Sequence, residues 1–346
     1  MSQGQYDGVP VVQTQRPRSC RTSVASGTIE RAVEASAPGI GVAAPDLRAV
    51  SRLDVRLLVA VGAVWLFWGS TFAAMRFAVA TIPPFVMASC RFLLAGAILY
   101  AICALRGKVR PSRDDLVGAA ITGTTLLLIG NGTTAWTVQF LPTGINSLLL
   151  SLSPVFMALI AFIWGGERPT RLAVGGMVLG FAGLALLLQP KATSAIPLWP
   201  ALVALLSSIS WAFGSIYQRR ARKPRSLVLA TALQMLVGGA FLAIEAALFG
   251  EWRSLDPHAI AAASFGGFAW LVLFGSLIAY SAYVYTMRSA STALASTYAY
   301  VNPVVAVMLG MLLFHEHFTP LEALASAVIL AGVALMMVPR RGALAA

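Results

Sequence analysis

LSLSPVFMALIAFIWGGERPT at residues 150–170 and AYVNPVVAVMLGMLLFHEHFT at residues 299–319 are two copies of one segment, at a constant offset of 149. Each copy has a proline inside an apolar run, a glutamate near the end of that run and a threonine after it. The matched pairs are Pro154 with Pro303, Glu167 with Glu316 and Thr170 with Thr319. Such a duplication in a strongly apolar chain is typical of transporters built from two repeats.

The composition requires an apolar environment for most of the chain. Of its 346 residues, 58% are hydrophobic and 11% are charged, whereas a soluble domain carries about 25% charged residues. Ten apolar stretches follow the first 56 residues, most of them about 20 residues long, which is enough to cross a bilayer. They are 57–77, 84–105, 115–139, 145–165, 170–188, 198–218, 226–249, 262–286, 292–314 and 319–338. We therefore predict an all-α polytopic membrane protein with ten transmembrane helices in a lipid bilayer.

The basic residues lie in short clusters between the apolar stretches. A net charge of +12 would indicate a nucleic-acid partner if these residues formed one patch. They do not, so no nucleic acid is expected. The clusters follow the even-numbered stretches, which predicts a multi-pass membrane protein with both termini in the cytoplasm. Residues 1–56 have no apolar periodicity and are predicted to form a disordered cytoplasmic tail; a wrongly chosen start codon is the alternative.

The duplication extends over two units, 57–189 and 198–338, each with five predicted helices. RFLLAGAIL at 91–99 matches QMLVGGAFL at 234–242, at an offset of 143. Because five is an odd number, the second unit is inverted relative to the first. Inverted repeats place a binding site near the middle of the membrane, at the interface of the halves.

Polar and aromatic side chains at that depth are the candidates for binding a substrate. Asn146 and Ser153 are seven residues apart, and Tyr298 and Asn302 are four apart, so each pair shares one face of a helix. An amide in lipid is costly and should face a cavity, although a hydrogen bond between helices is the alternative. The predicted substrate-binding residues are Trp68, Arg91, Asn131, Thr134, Asn146, Ser153, Trp211, Tyr280, Tyr283, Tyr298 and Asn302.

Prolines and a glycine-rich turn are predicted to weaken particular helices. Pro154 and Pro303 each loosen the carbonyl four residues back, which indicates either a paired hinge or tolerated kinks. Gly130-Asn131-Gly132 should weaken its helix locally. Small-residue stripes predict close helix packing, within the chain or in a homodimer. These stripes are Gly176, Gly180 and Gly183, and Ala323, Ala327 and Ala331.

Two charged residues, Arg91 and Glu245, fall inside predicted spans. A charge inside the membrane indicates function by default. Arg91 either holds a substrate carboxylate, pairs with Glu245, or has a purely structural role. Glu245 is the only intramembrane carboxylate, so the sequence leaves the coupling of transport to protons open.

Glu167 and Glu316 are predicted at opposite membrane surfaces, where they fix turns between helices and are candidate gate residues. Thr319 to Glu322 matches a helix start with a threonine N-cap, a proline at the first position and a glutamate at the third. The run 315–317, His-Glu-His, is a weak metal signal without a further ligand. No metal, no catalytic group and, without a GxxxxGK[ST] run, no nucleotide or other cofactor is expected.

Two other classes of function stay open from the residues alone. A membrane-embedded enzyme acting on lipid-linked substrates would need a nucleophile or a metal cluster at membrane depth, and none is evident. A non-transporting sensor or scaffold would use the arginine-rich tail to bind its partner.

The chain also resembles a known family. WGSTF at 68–72, SWAFGSIY at 210–217, LFGSLIA at 273–279 and ALASTYAYVNPVVAVMLG at 293–310 resemble the drug/metabolite transporter superfamily, in particular its ten-helix EamA-domain exporters. The resemblance covers residues 57–338. It implies a cell (inner) membrane protein with two inverted five-helix repeats around a central cavity, and export of a small-molecule substrate by alternating access. Amino acids, related metabolites and drugs are the implied substrates.

Overall fold

The computed structural model of the protein describes residues 55–107, 110–165, 169–188, 197–221, 226–290, 292–317 and 319–336. Regular secondary structure in these residues is entirely helical. Seven of the helices are long and apolar enough to cross a membrane, and three further apolar helices have 17 residues each. An all-α polytopic membrane protein is thus confirmed. Residues 1–54 of the predicted tail and the candidate gate residue Glu167 lie outside the described residues.

The helices follow the predicted spans closely. In chain order they are α1 (Val55–Ala78), α2 (Pro84–Leu105), α3 (Arg113–Thr137), α4 (Thr143–Trp164), α5 (Arg171–Leu187), α6 (Leu198–Arg220), α7 (Leu227–Leu248), α8 (Ala262–Ser289), α9 (Tyr298–Phe314) and α10 (Pro320–Met336). The shorter three are α5, α9 and α10. The largest difference is the start of α9, predicted at residue 292. A separate turn, Thr292–Ala295, precedes α9 there.

Glycines allow α2 and α7 to pack closely against each other. A Cβ atom added to Gly96 would lie 3.0 Å from the backbone nitrogen of Leu236, and one added to Gly239 would lie 2.9 Å from that of Leu93. Real Cβ atoms avoid such distances, so any larger residue would push the helices apart. Elsewhere, α1 contacts α8 and α9, while α6 contacts α3 and α4.

The glycine stripe of α5 packs against α10 within the chain. A Cβ at Gly183 would lie 2.9 Å from the backbone nitrogen of Ile329, and one at Gly332 would lie 2.7 Å from that of Gly180. Packing within the chain is therefore confirmed for these glycines. The alanine stripe differs, because Ala323, Ala327 and Ala331 are exposed on another face of α10.

α3 and α8 each contain a π-helical stretch, Gly123–Gly132 in one and Leu271–Tyr280 in the other. These stretches occupy matching places in the two repeats. In α3 the side-chain Nδ2 of Asn131 also donates to the backbone carbonyl of Leu126, at 3.3 Å. The weakening predicted around Gly130 thus takes the form of a wider helical turn, a distortion that is frequent at functional sites.

The two repeated prolines have different local structures. α4 is interrupted at Ser151 and Leu152, between the segments Thr143–Leu150 and Ser153–Gly165. The carbonyl of Leu150 instead accepts hydrogen bonds from the hydroxyls of Ser153 and Ser208. Pro303, in contrast, lies inside the continuous helix α9. A paired hinge at these prolines stays a prediction.

Candidate functional site

A cavity of about 70 Å³ lies between seven helices. Ligand pockets usually measure about 300–1,000 Å³, so this cavity admits water or a small group, and a whole metabolite requires the lining to move. It is lined by nine of the eleven predicted substrate-binding residues. These are Trp68, Arg91, Asn131, Thr134, Ser153, Trp211, Tyr280, Tyr298 and Asn302. The structure brings them together; their role in binding stays a prediction.

Aromatic rings form one wall of this central cavity. Trp68 and Trp211, which are repeat partners, meet edge to face with ring centroids 5.4 Å apart. Tyr298 packs edge-on against Trp68, also at 5.4 Å, and accepts a hydrogen bond from Trp211 Nε1 at 3.1 Å. Such edge-to-face geometry is favourable for aromatic pairs. The wall is apolar, with the indole and phenol polar atoms held by partners.

Two predicted residues do not line the cavity. Tyr283 is fully buried behind the aromatic wall, 4.8 Å from Trp68 between ring centroids. Asn146 is also buried; its Oδ1 accepts from the hydroxyl of Thr137 at 3.3 Å, and its Nδ2 has no partner among the described residues. The interruption at Ser151 and Leu152 explains why Asn146 does not line the cavity with Ser153. Residues seven apart share one face only in an unbroken helix.

Some polar side chains that line the cavity already have hydrogen-bond partners, whereas others do not. Thr134 shares a hydrogen bond with Ser207 at 2.9 Å, and Ser153 shares one with Ser208 at 3.2 Å. Both bonds link to α6, so the predicted alternative of helix–helix bonding describes these two residues. Asn302 differs, because its buried Oδ1 has no hydrogen-bond partner among the described residues.

Some residues that line the cavity were not predicted from the sequence. Phe72 and Met75 continue the face of Trp68 on α1, and their spacing of four and seven from that tryptophan was the available signal. Ser147 and Ser151 also line the cavity. Serine is common in membrane helices, so nothing in the sequence singled them out.

Arg91 is the one charged residue among the described residues that line the cavity. Its side chain is 4% exposed, and its Nε donates to Ser276 Oγ at 2.7 Å. The alternative of a pair with Glu245 is not found. Glu245 instead lies beside α3, where its Oε2 is 3.4 Å from the Cβ position of Gly132 and has no partner among the described residues.

Glu316 holds three helices together at one end of the bundle. Its carboxylate forms an ion pair with Arg76 at the end of α1. It also accepts from the backbone nitrogens of Thr143, at 2.8 Å, and Gly144, at 3.4 Å, at the start of α4. We call these four residues the Glu316 latch. The carboxylate was predicted to fix the turn between α9 and α10. It instead caps the start of α4.

The local sequence explains how Glu316 reaches α4. His315 ends α9 in the left-handed conformation, with φ of 53°, which few residues other than glycine adopt. The chain therefore turns back sharply. The predicted capping box follows and is confirmed: Thr319 N donates to Glu322 Oε2 at 2.7 Å, and Glu322 N donates to Thr319 Oγ1 at 3.2 Å.

A second cavity, of about 680 Å³, lies where α3 and α7 begin and α6 and α8 end. We call it the vestibule. Its described charged lining residues are Arg113, Asp114, Asp115 and Arg288. Gln234 also lines the vestibule, and its Oε1 accepts a hydrogen bond from the hydroxyl of Tyr280 at 3.1 Å. Because Tyr280 lines the central cavity, this bond joins the walls of the two spaces.

A family model described as the EamA-like transporter family matches residues 56–189 and 198–338. The chain belongs to this family. It is 39% identical over 284 residues to the uncharacterized inner membrane transporter YedA of Escherichia coli (strain K12), covering 81% of this chain and 90% of YedA. It is 25% identical over 267 residues to the uncharacterized transporter YvbV of Bacillus subtilis (strain 168), covering 73% and 82% of the two chains.

A solved crystal structure supports the fold. It is 21% identical to this chain, has a TM-score of 0.59, and the match covers 81% of this chain and 96% of that one. The resemblance to the drug/metabolite transporter superfamily is thus confirmed. The protein is a multi-pass inner membrane transporter rather than an enzyme.

Proposed function

We propose that this transporter exports small organic metabolites across the plasma membrane by alternating access through the central cavity. One observation carries the proposal: the predicted polar and aromatic residues converge on one cavity between a latched end and a vestibule. A substrate entering from the vestibule would pass Tyr280, occupy the cavity, and leave when the Glu316 latch opens. Amino acids, related compounds and drugs are the substrate classes considered.

An inverted pair of five-helix repeats would supply the two alternating states. The helix packing supports this arrangement, because exchanging α1–α5 with α6–α10 maps the most extensive helix contacts onto one another. The contacts of α1 with α8 and α9 become those of α6 with α3 and α4. The pairs α2 with α7 and α5 with α10 map onto themselves. Such symmetry lets one half adopt the conformation of the other, which exchanges the open and closed ends.

The proposed topology has ten crossings with both termini in the cytoplasm. α5, α9 and α10 have 17 residues each, at the lower end of the range of about 17–25 residues for a crossing. The vestibule then faces the cytoplasm and the latch faces the periplasm. Reporter fusions to each terminus should both register cytoplasm; a periplasmic C-terminus would contradict the ten crossings.

A homodimer interface was the alternative to packing within the chain for the small-residue stripes. The glycine stripe of α5 is occupied by α10 within the chain, so a second copy would have to use the exposed alanine stripe of α10 or another apolar surface. Nothing in the transport route requires a second copy. The functional unit proposed is therefore one chain with its small-molecule substrate and the surrounding bilayer.

Two cavity variants test the proposed site. Tyr298→Ala removes part of the aromatic wall, and Asn302→Leu removes the unpaired amide. Each should lower export at least about tenfold, because the groups meet the substrate directly. Export is measured as metabolites released by cells that overexpress each variant, at equal protein level in the membrane.

Tyr300→Ala is the matched control on α9. Its hydroxyl donates to the carbonyl of Val333 at 3.0 Å, away from the cavity. This control should export at close to the rate of the unmodified protein. Unchanged export by both cavity variants would refute the assignment of the site.

A further inference from the structure

Arg91 has unused hydrogen-bonding capacity toward the central cavity. Its Nε is engaged by Ser276, and its guanidinium carbon lies 4.7 Å from the ring centroid of Phe92. No other hydrogen bond or ion pair joins Arg91 to a described residue. The terminal nitrogens, Nη1 and Nη2, therefore lack a described acceptor although the side chain is almost fully buried and lines the cavity.

The described residues around Arg91 provide no counter-charge. Among the described residues, the cavity lining contains no aspartate or glutamate, and the carboxylate of Glu316 is paired with Arg76 in the latch. An unpaired cation inside a membrane is costly and is usually paired or faces water. A positive cavity without acidic groups repels cationic compounds and attracts anionic ones.

The positive charge of Arg91 has no counterpart at the matching position of the second repeat. The repeat partner of Arg91 is Gln234, which is uncharged and holds the hydroxyl of Tyr280. A structural arginine required by the repeated scaffold would be expected in both copies. The difference favours a role for Arg91 in recognition over a role in the repeated scaffold.

We propose that the substrate is a small organic compound bearing a carboxylate or an equivalent anionic group, which binds the terminal nitrogens of Arg91. A guanidinium presents paired N–H donors that match such a group. The carbon skeleton lies against Trp68 and Trp211. Asn302 Oδ1, buried without a described partner, accepts a donor where the substrate carries one. This assignment rests on the proposed function and adds its substrate class.

The test compares metabolites released by cells that overexpress the unmodified protein, Arg91→Gln, Arg91→Lys or no transporter. Compounds released only with the protein should carry an anionic group. Arg91→Gln should lower their release about tenfold or more, since loss of one partner of a buried charge pair is strongly unfavourable. Arg91→Lys keeps the charge without the paired donors, and should retain more release than Arg91→Gln.

Two outcomes would overturn the assignment. One is a set of exported compounds without an anionic group; the other is anion release by Arg91→Gln at the unmodified rate. If Arg91→Gln does not reach the membrane, Ser276→Ala decides, because it leaves the charge and frees Nε. Release of the compounds with an anionic group should then change severalfold at equal protein level in the membrane, and release at the unmodified rate would refute the proposal. No release above the cells without transporter would instead contradict export itself.

Discussion

Arg76 and Arg219 occupy matching positions at the ends of α1 and α6, yet their contacts differ. Arg76 pairs with Glu316 in the latch. Among the described residues, Arg219 donates to backbone carbonyls, those of Met287 at 3.5 Å and Ala290 at 3.0 Å. One end of the bundle is thus closed by a charged contact, while the vestibule lies at the other. A repeated scaffold is held here in an asymmetric state.

The largest expected effect concerns a feature that both halves share, the close packing of a glycine in the last helix of each repeat. Gly183→Val and Gly332→Val each place a Cβ within 3 Å of the backbone of the facing helix. Overpacking costs about 1–3 kcal/mol, and more where backbone must move. Both variants should lose most folded protein from the membrane, measured by fluorescence-detected gel filtration of detergent extracts.

Gly62→Val is the control, because a Cβ at Gly62 in α1 meets nothing within 4 Å. It should leave the yield of folded protein unchanged. Tolerance of valine at Gly332 but not at Gly183 would break the symmetry of the scaffold at this contact.

The next effect tests the difference between the two ends. Glu316→Gln removes the charge of the latch and should favour opening of that end by about 1.5–3 kcal/mol, the scale of a hydrogen bond to a charged group. The labelling of Met75→Cys by a membrane-impermeant maleimide added outside should accelerate at least about tenfold. The measurement uses a variant whose native cysteines are serine.

Arg219→Gln provides the comparison at the opposite end. Its bonds to carbonyls belong to an exposed side chain, so the same labelling rate should change less than about threefold. Equal effects of Glu316→Gln and Arg219→Gln would mean that the latch does not set the asymmetry.

The smallest effect concerns the bond between Tyr280 and Gln234. Tyr280→Phe removes a neutral hydrogen bond, worth about 0.5–1.5 kcal/mol, between the vestibule and the central cavity. Labelling of Thr71→Cys from the cytoplasmic side should rise about threefold. Tyr300→Phe removes one hydroxyl bond away from both cavities and should have no effect. An equal rise in both would indicate general loosening of the bundle.

The helices were predictable because bilayer thickness fixes their length and apolar composition marks them. The capping box at Thr319 was predictable because all its groups lie within four residues. The convergence of nine candidate residues was anticipated from the duplication, since two similar units that pack against each other can bring matched positions together at their interface. Trp68 and Trp211 illustrate this approach most directly.

Other parts required three-dimensional packing. Arg76 and Glu316 are distant in sequence, and only the arrangement of α1, α4 and α9 brings them together. The placement of Asn146 failed because the interruption of α4 changes its face. Tyr283 is fully buried and packs against Trp68, which lines the cavity in its place. A sequence pattern does not specify which of two packed side chains reaches the cavity.

The two oxygens of Glu316 impose a condition on how its end of the protein opens. Oε1 is shared between Arg76 and the backbone nitrogen of Thr143, and Oε2 is directed to Gly144. Withdrawal of α1, α4 or α9 alone would leave the largely buried Glu316 carboxylate without some of its partners, which is unfavourable. Partly open conformations of this end are therefore higher in free energy than the closed and the fully open conformations. This end should act as a cooperative two-state switch, with a small population of intermediates, rather than as a graded valve.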